Sequence, residues 1–321
     1  SKDLYEREVD SLSYQLRLMS EENNDSKDSS FGWVAGLYGY HHDLDLIRSY
    51  TYLAKQFTSS YEVDRFAVFG ELSKKVASDW VIRMGVRGEN LRMAYLDSST
   101  LRYDPDDFVV GGRILVERNL NPDRLVYFGI NRGYKSGGFN TDGSIDEDLR
   151  LFGSEVLWNF ELGHKGAFLD ERLHMRTTIF RMKRSDIQIA TSLVRERSDG
   201  SSEFIEYTGN AAEGLNQGLE IDLRLRAADR LFLDLSAGWL DTRFSSYQGY
   251  GERILAGRDQ AHAPNYQFHV GVEYVLGSRW AFHVDLEGKD SFFYSDSHDF
   301  KSKSYELINL GLSFEGNRLE V

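Results

Sequence analysis

The chain has 321 residues, with 38 Lys and Arg against 51 Asp and Glu, three prolines and no cysteine. Its net charge of −13 argues against a general nucleic-acid binder, which holds phosphates with a basic surface. The lack of cysteine excludes disulfide scaffolds, thiolate zinc sites and cysteine nucleophiles. No apolar run approaches the roughly 18 to 20 residues of a transmembrane helix, but a transmembrane β-barrel has the average composition of a soluble protein and is not excluded.

In chain order, most segments alternate apolar and polar side chains with a period of two, as strands do because successive side chains leave opposite faces of a sheet. Leu219–Arg226 is the clearest case, since four aliphatic residues alternate there with Glu, Asp and two Arg. About fourteen strands are predicted in this way. They lie near residues 12–20, 31–41, 61–76, 79–96, 107–118, 124–138, 155–169, 172–190, 204–226, 230–245, 265–276, 280–293 and 305–315, and from 318 to the end.

The predicted connections alternate in length. Short links lie at 77–79, 170–171, 227–229, 277–278 and 315–317, and longer polar links lie at 42–60, 97–106, 139–154, 191–203, 246–264 and 294–304. Long antiparallel strands with tight turns at one end and large loops at the other are typical of an outer-membrane barrel, whose apolar side chains face lipid and whose charged side chains line the interior. The predicted fold class is therefore all-β, a transmembrane antiparallel β-barrel.

Two other classes of protein fit the alternation in part. A soluble β-sandwich also alternates, but its strands average about five or six residues, whereas several strands predicted here are much longer. A passive porin-type channel of about fourteen strands would be complete as written. Both stay as alternatives to an active transporter.

Val126–Asn140 reads VYFGINRGYKSGGFN, which resembles a strand motif of the TonB-dependent outer-membrane receptors. Five further segments resemble motifs of that family and occur in its order. They are SYQLRLMS with FGWVAGLYGY (13–20 and 31–40), RFAVFGELSKKVASDWVIRMGVRGE (65–89), SEVLWNFELGHKGAFLDERL (154–173), NAAEGLNQGLEIDLRLRAADRLFLDLSAGWLDTRF (210–244) and AHAPNYQFHVGVEY (261–274).

The resemblance implies a barrel of 22 strands, of which residues 1–321 would form a part that is incomplete at both ends. The plug domain and the TonB box of the family are not visible in the sequence. The implied function is active uptake of a scarce, large ligand, namely a siderophore–iron complex, haem, cobalamin or a saccharide. The implied partners are outer-membrane lipid, the TonB–ExbB–ExbD complex acting through a plug domain, and that small-molecule ligand; neither a nucleic acid nor a cofactor is expected.

Candidate ligand-binding residues lie where strands are predicted to leave the membrane and in the aromatic loops. Cationic Arg132 and Lys135 either steer an anionic ligand or bond neighbouring strands, and the second role is favoured because charged residues in barrels usually belong to the wall. The full set is Arg132, Tyr134, Lys135, Asn140, Tyr247, Tyr250, Phe292, Phe293 and Tyr294.

Charged residues at alternate positions are predicted to face the barrel interior. The resemblance implies that they contact the plug and form charge networks rather than bind the ligand directly. They are Glu71, Arg83, Arg87, His174, Arg176, Glu220, Asp222, Arg224, Asp234, Glu273, His283, Asp285 and Glu287.

Neither a metal site nor a catalytic site is predicted. His41, His42, Asp43 and Asp45 offer metal-ligating groups, but we interpret them as part of a solvated loop because no second cluster accompanies them. The run TDGSIDED (141–148) lacks the spacing of a calcium-binding EF-hand. Since the spacing supports no nucleophile–base pair and no carboxylate dyad, the protein is not expected to be an enzyme.

Overall fold

The computed structural model describes residues 2–20, 31–51, 55–140, 145–196, 200–247, 256–296 and 298–316. It contains sixteen β-strands and one short 3-10 helix, Glu147–Leu149. Among the described residues, no helix is long and apolar enough to cross a membrane. The strands are β1 Asp3–Met19, β2 Phe31–Tyr50, β3 Phe57–Ala77, β4 Trp80–Asp97, β5 Arg102–Tyr103, β6 Asp106–Asn121, β7 Arg124–Lys135, β8 Gly138–Phe139, β9 Leu151–Phe152, β10 Glu155–Phe168, β11 Leu173–Glu196, β12 Ser202–Ala228, β13 Leu231–Tyr247, β14 Tyr266–Leu276, β15 Trp280–Lys289 and β16 Tyr305–Phe314.

Fourteen of these strands form one antiparallel sheet. Its order is β1-β2-β3-β4-β6-β7-β10-β11-β12-β13-β14-β15-β16, with β5 paired to β4, and β8 and β9 form a separate pair. Every neighbour in this path is the next long strand in the chain, so the sheet is an up-and-down meander. The all-β antiparallel prediction is confirmed: thirteen of the predicted strands correspond to the thirteen long strands of this sheet, and β5 was not predicted. A sandwich of two sheets of short strands is wrong.

The two faces of this sheet have different chemistry. On one face, which we call the apolar face, Leu223, Leu235, Val270, Leu286 and Ile308 are successive cross-strand neighbours on five strands. The alternate positions of these strands point to the opposite face, which we call the charged face because it carries groups such as Arg224, Asp234, Asp285 and Glu287. Since a one-residue shift in register would exchange the two faces, this pattern fixes the pairing of the long strands.

The charged face receives every residue that was predicted to line the interior. The register places Arg224 beside Asp234 on the next strand, and Asp285 beside Gly271. Glu71, Arg83 and Arg87 share the same face on β3 and β4, because Glu71 pairs with Gly85, which lies between the two arginines in the alternation. That this face lines the interior of a barrel stays a prediction.

Several strands extend beyond the predicted boundaries. The segment 42–60 was predicted as a loop, but β2 continues to Tyr50 and β3 starts at Phe57. Likewise, 191–203 was predicted as a loop, but β11 continues to Glu196 and β12 begins at Ser202. The apolar alternation by which strands were predicted ends with the apolar face, whereas backbone pairing continues beyond it between polar side chains.

Other boundaries were predicted too long. β15 ends at Lys289 rather than at 293, because the aromatic run that follows packs as a loop. The loop predicted at 139–154 contains the short strands β8 and β9 and the 3-10 helix. The strand predicted from 318 to the end lies outside the described residues.

Gly218 allows three strands to approach one another on the charged face. It pairs with Phe180 on β11 and with Leu240 on β13. A Cβ atom at this position would collide with the carbonyl oxygen of Trp239 and with the ring of Phe180. Because a backbone atom cannot move aside as a flexible side chain does, we expect Gly218→Ala to lower the free energy of unfolding by about 1 to 3 kcal/mol.

Gly238 provides the matched control for Gly218. A Cβ atom there would meet nothing closer than Cγ of Gln267, at 3.9 Å. Urea unfolding of the two alanine variants in lipid vesicles measures both effects. Equal stability of the two variants would contradict the predicted collision.

Candidate functional site: the charged face and the upper loops

Ion pairs and hydrogen bonds link neighbouring strands along the charged face. Arg113 binds Glu71 across β4, and Arg224 Nε lies 2.7 Å from Asp234 Oδ1. On β14 and β15, His269 lies 3.1 Å from Asp285 and His283 lies 3.6 Å from Glu273. Further links are Arg83 to Glu117, and Ser236 to Asp222. These contacts agree with the expected structural role, because each joins two different strands.

A hollow of about 360 Å³ opens on the charged face between β12 and the start of β16. Its lining includes Glu220, Asp222, His269, Glu287 and Lys289. Carboxylates outnumber cationic side chains in this lining, so the hollow is poorly suited to an anionic ligand.

Glu89 is the centre of a buried charge cluster on the charged face. Its side chain is 5% exposed, and it accepts hydrogen bonds from Arg87 Nη2 at 2.6 Å and from the Tyr134 hydroxyl at 3.2 Å. Arg65 Nη1 lies 3.8 Å away. The Tyr134 ring lies over Gly111, where a Cβ atom would be 3.0 Å from Cε1 of the ring. Tyr134, a predicted ligand residue, is therefore held by contacts with the neighbouring strands of the sheet.

The neighbouring candidates also contact the wall. The Arg132 guanidinium carbon lies 6.0 Å from the centre of the Trp158 ring. Lys135 pairs with Glu155 in the sheet, and its carbonyl oxygen accepts a hydrogen bond of 3.4 Å from Gln188. These positions are consistent with the favoured wall role for Arg132 and Lys135, and ligand contact by either residue stays a prediction.

Asn140 connects its own loop to a distant strand. Its Nδ2 donates to the carbonyl oxygens of Leu149 at 2.9 Å and Thr208 at 2.8 Å, and its Oδ1 accepts from the backbone nitrogen of Thr208 at 2.9 Å. Through these three bonds the Asn140 amide joins its loop to β12, a contact that the sequence alone does not show.

The aromatic run after β15 forms a second site, rich in cations. Phe293 lies between Arg258 and Lys301, each of which is 4.0 Å from the centre of its ring. Lys289 Nζ lies 4.4 Å from the ring centre of Phe292, and the ring of Tyr294 meets that of Phe292 edge-on at 5.7 Å. We call these six residues the cationic aromatic cluster.

Arg258 fixes the shape of this cluster. Its side chain is 10% exposed, and it donates to the carbonyl oxygens of Ser295, Asp296 and His298. It thereby fastens the loop before β14 to the loop after β15. A guanidinium used in this way orders the loop, while Lys289 and Lys301 supply positive charge beside the aromatic rings.

The predicted ligand residues do not form one site in the structure. Arg132, Tyr134 and Lys135 lie on β7, whereas Phe292 to Tyr294 follow β15, and five strands separate β7 from β15 in the sheet. Tyr247 ends β13, where its backbone pairs with Ala212. Tyr250 lies outside the described residues.

His41 is part of a strand rather than of the solvated loop that was predicted. It lies on β2 just above the last position of the apolar face, and its two ring nitrogens each lie 2.8 Å from a carboxylate oxygen, of Asp64 and of Asp43. These hydrogen bonds, to Asp64 first, raise the pKa of His41. Donor atoms of His41, Asp43 and Glu62 lie within 4.8 Å of one another, but both ring nitrogens already contact carboxylates.

Sequence patterns missed the residues whose role depends on long-range pairing. Lys289 and Lys301 flank the aromatic run in the sequence, so their charge was a usable signal. Arg258 and Asp97 have no such local signal, because their partners come from loops about 40 to 50 residues away along the chain.

The family model of the TonB-dependent receptor-like β-barrel matches residues 3–321, nearly the whole chain. The chain belongs to the TonB-dependent receptor β-barrel family. It is therefore an outer-membrane β-barrel of receptor type, which excludes the β-sandwich alternative. The family consists of receptors rather than enzymes.

Solved structures with this fold include several uptake receptors. The ferric yersiniabactin uptake receptor FyuA of Yersinia pestis has a TM-score of 0.75 at 17% identity, with 97% of this chain and 47% of that chain covered. The siderophore receptor PiuA of Acinetobacter baumannii has a TM-score of 0.72 at 12% identity, with 98% and 50% covered. The ferric-catecholate import receptor Fiu of E. coli K12 has a TM-score of 0.69 at 13% identity, with 97% and 49% covered. The chain spans about half the length of these receptors.

Proposed function

We propose that this chain is the barrel part of an active-transport receptor that takes up an iron–siderophore complex with TonB-coupled energy. The observation that carries the choice of ligand is the cationic aromatic cluster. Lys289, Lys301 and Arg258 surround Phe292 and Phe293 there, on the side of the sheet where the long loops lie. Many ferric chelates are anionic and carry planar groups, so positive charge beside aromatic rings suits them.

The family and the names of the similar structures support the same proposal. FyuA, PiuA and Fiu are described as receptors for ferric or siderophore ligands. The energy would come from the TonB–ExbB–ExbD complex acting on a plug domain. The charged face would hold that plug through the groups already described, with outer-membrane lipid on the apolar face.

The copper transporter OprC also matches, with a TM-score of 0.70 at 13% identity. A receptor for a bare metal ion would use His, Met or carboxylate ligands rather than cations beside aromatic rings. The cationic aromatic cluster therefore favours a chelate over a free ion.

Uptake of radioactive iron by intact cells tests the proposal. Cells that lack the gene are compared with complemented cells, with and without TonB, for a panel of iron-loaded hydroxamate, catecholate and mixed-type chelates. We expect at least one chelate to enter only when both the gene and TonB are present. Gene-dependent entry of small solutes without TonB would contradict the proposal and would indicate a channel.

Lys301→Glu should weaken binding of the transported chelate about tenfold, because it places a negative charge beside Phe293 where the ligand's own charge would lie. Lys303→Glu makes the same change of charge two residues further along the same loop and serves as the control. The measurement is the half-saturation concentration for iron uptake in cells with equal receptor levels. Equal effects of both variants would show that the half-saturation concentration depends on the total charge of the loop and not on the position of Lys301 beside Phe293.

A further inference from the structure

The strands β7 and β10 end at a lower level than the strands on either side of them. Arg132 on β7 is level with Val86, because both pair with Gly112. From that level β7 continues three residues, to Lys135, whereas β4, on the far side of β6, continues eleven, to Asp97. On the other side, the pairing of β10 with β11 ends at Ser185, and β11 runs eleven residues further, to Glu196, paired with β12. The wall therefore has a notch above β7 and β10.

The loop between these strands fills the notch. We call its described parts, residues 137–140 and 145–154, the strap. Within the strap, β8 pairs with β9, and the backbone nitrogen of Asn140 donates to the carbonyl oxygen of Arg150 at 2.7 Å. Phe139, Ile145 and Arg150 are buried, with exposed fractions of 5 to 7%. A loop with this much buried surface and internal pairing is part of the packed structure.

On one side the strap is fastened to the upper end of β4. Arg150 Nη1 lies 3.4 Å from Asp97 Oδ2, and the two side chains are 8% and 0% exposed. The Phe139 ring packs on Tyr95 and Tyr103, with ring centres 4.4 and 5.3 Å away. Asp97 also accepts from the Tyr95 hydroxyl at 3.1 Å and from the backbone nitrogens of residues 99 and 101. Burial raises the pKa of Tyr95, which keeps this hydroxyl a donor.

On the other side the strap is fastened to the hairpin of β11 and β12. Asn140 exchanges two hydrogen bonds with the backbone of Thr208. Ile145 packs in a cluster with Ile205 and Tyr207, and Asp146 lies 2.7 Å from Arg195. In the sheet, four strands separate β4 from β12, and the strap contacts the upper ends of both.

We propose that the strap is a rigid brace that couples the upper end of β4 to the β11–β12 hairpin, with the buried Arg150–Asp97 pair as its latch. The two tall parts of the wall then behave as one unit. Motion of the receptor on ligand binding falls to the other upper loops, including the one that carries the cationic aromatic cluster. This inference does not depend on the identity of the ligand.

Hydrogen–deuterium exchange of the full natural receptor in detergent tests the brace. In Arg150→Met, the latch loses its cation while Asp97 stays buried, and we expect exchange in residues 137–154 to rise about tenfold or more. The decisive peptide is 202–210 on β12, which contacts the strap through Asn140 and Ile145 and lies five strands along the sheet from β4, where Asp97 is; it should also exchange about tenfold faster. Arg102→Met removes an exposed cation, 74% exposed and paired to Asp104, and should change exchange less than about twofold.

Asn140→Ala tests the brace from its other side. It should speed exchange in residues 93–101 of β4 and the following turn, although Asn140 contacts neither. Heat-modifiable migration on a gel shows whether each variant forms a barrel. Arg150→Lys keeps the charge, so its exchange rates should lie between those of the wild type and those of Arg150→Met. If either variant changes exchange only in the strap itself, or if the strap exchanges rapidly in the wild type, the brace is wrong.

Discussion

Leu235→Arg should destabilise the barrel by about 2 to 4 kcal/mol, the cost of placing a cationic side chain near the middle of a bilayer. Leu235 lies at the centre of the apolar face, between Leu223 on β12 and Val270 on β14. An arginine there has no partner of opposite charge on that face among the neighbouring strands, and the nearest water lies beyond the apolar band. The measurement is the free energy of unfolding in urea from lipid vesicles.

Ser236→Arg is the matched control for Leu235→Arg. It makes a change of the same charge one residue later, on the charged face, where Asp222 already accepts a hydrogen bond from the Ser236 hydroxyl. We expect a change below about 1 kcal/mol, because the new side chain meets carboxylates and water. If Ser236→Arg costs as much as Leu235→Arg, the assignment of the two faces is wrong.

Glu89→Ala should lower the free energy of unfolding by about 3 kcal/mol, because it leaves the Arg87 and Arg65 guanidinium groups without the buried carboxylate that they share. Arg87 is 32% exposed, so water compensates part of the loss and the effect falls at the lower end for buried pairs. Tyr134 also loses an acceptor for its hydroxyl. The same urea titration provides the value.

Glu117→Ala is the control for Glu89→Ala. Glu117 accepts a hydrogen bond from Arg83 at 3.1 Å on the same face, but that arginine is 40% exposed. A pair so accessible to water contributes below about 1 kcal/mol. An equal loss in both variants would mean that burial of Glu89 has no special effect.

The membrane-level part of the fold follows from local sequence. In Leu219–Arg226 the alternation alone assigns each side chain to a face, and the structure pairs this segment with 232–239 on β13, so that the apolar residues of the two strands share one face. The alternation is strong there because lipid accepts only apolar side chains on one face. Above that level the constraint disappears, which explains why the upper ends of β2 and β11 were missed.

The candidate site was predictable only in part. The aromatic run at Phe292 was found from its composition, but its cation Arg258 comes from another loop, so no local pattern contains it. Tyr134 and Asn140 were singled out from a motif, and the structure gives both of them partners that are 45 to 68 residues away in the chain. Pairings over such distances depend on the register of several strands at once.

The contacts at membrane level and the contacts above it have different roles. At membrane level, strand-to-strand ion pairs such as Arg224–Asp234 hold the charged face. Above it, the strap stiffens one side of the wall, while the cationic aromatic cluster lies at the other side, beyond β14. This division leaves the loop with Lys289 and Lys301 as the place where an anionic chelate would first be held.

A cysteine scan along β13 tests the central claim most directly, because this chain contains no cysteine of its own. Single cysteines at residues 233 to 237, in the receptor in outer-membrane vesicles, are given a fluorophore and then exposed to a lipid-borne or a water-borne quencher. We expect strict alternation, with quenching by the lipid-borne quencher at Leu233, Leu235 and Ala237, and by the water-borne quencher at Asp234 and Ser236. Uniform quenching, or alternation of the opposite phase, would contradict it.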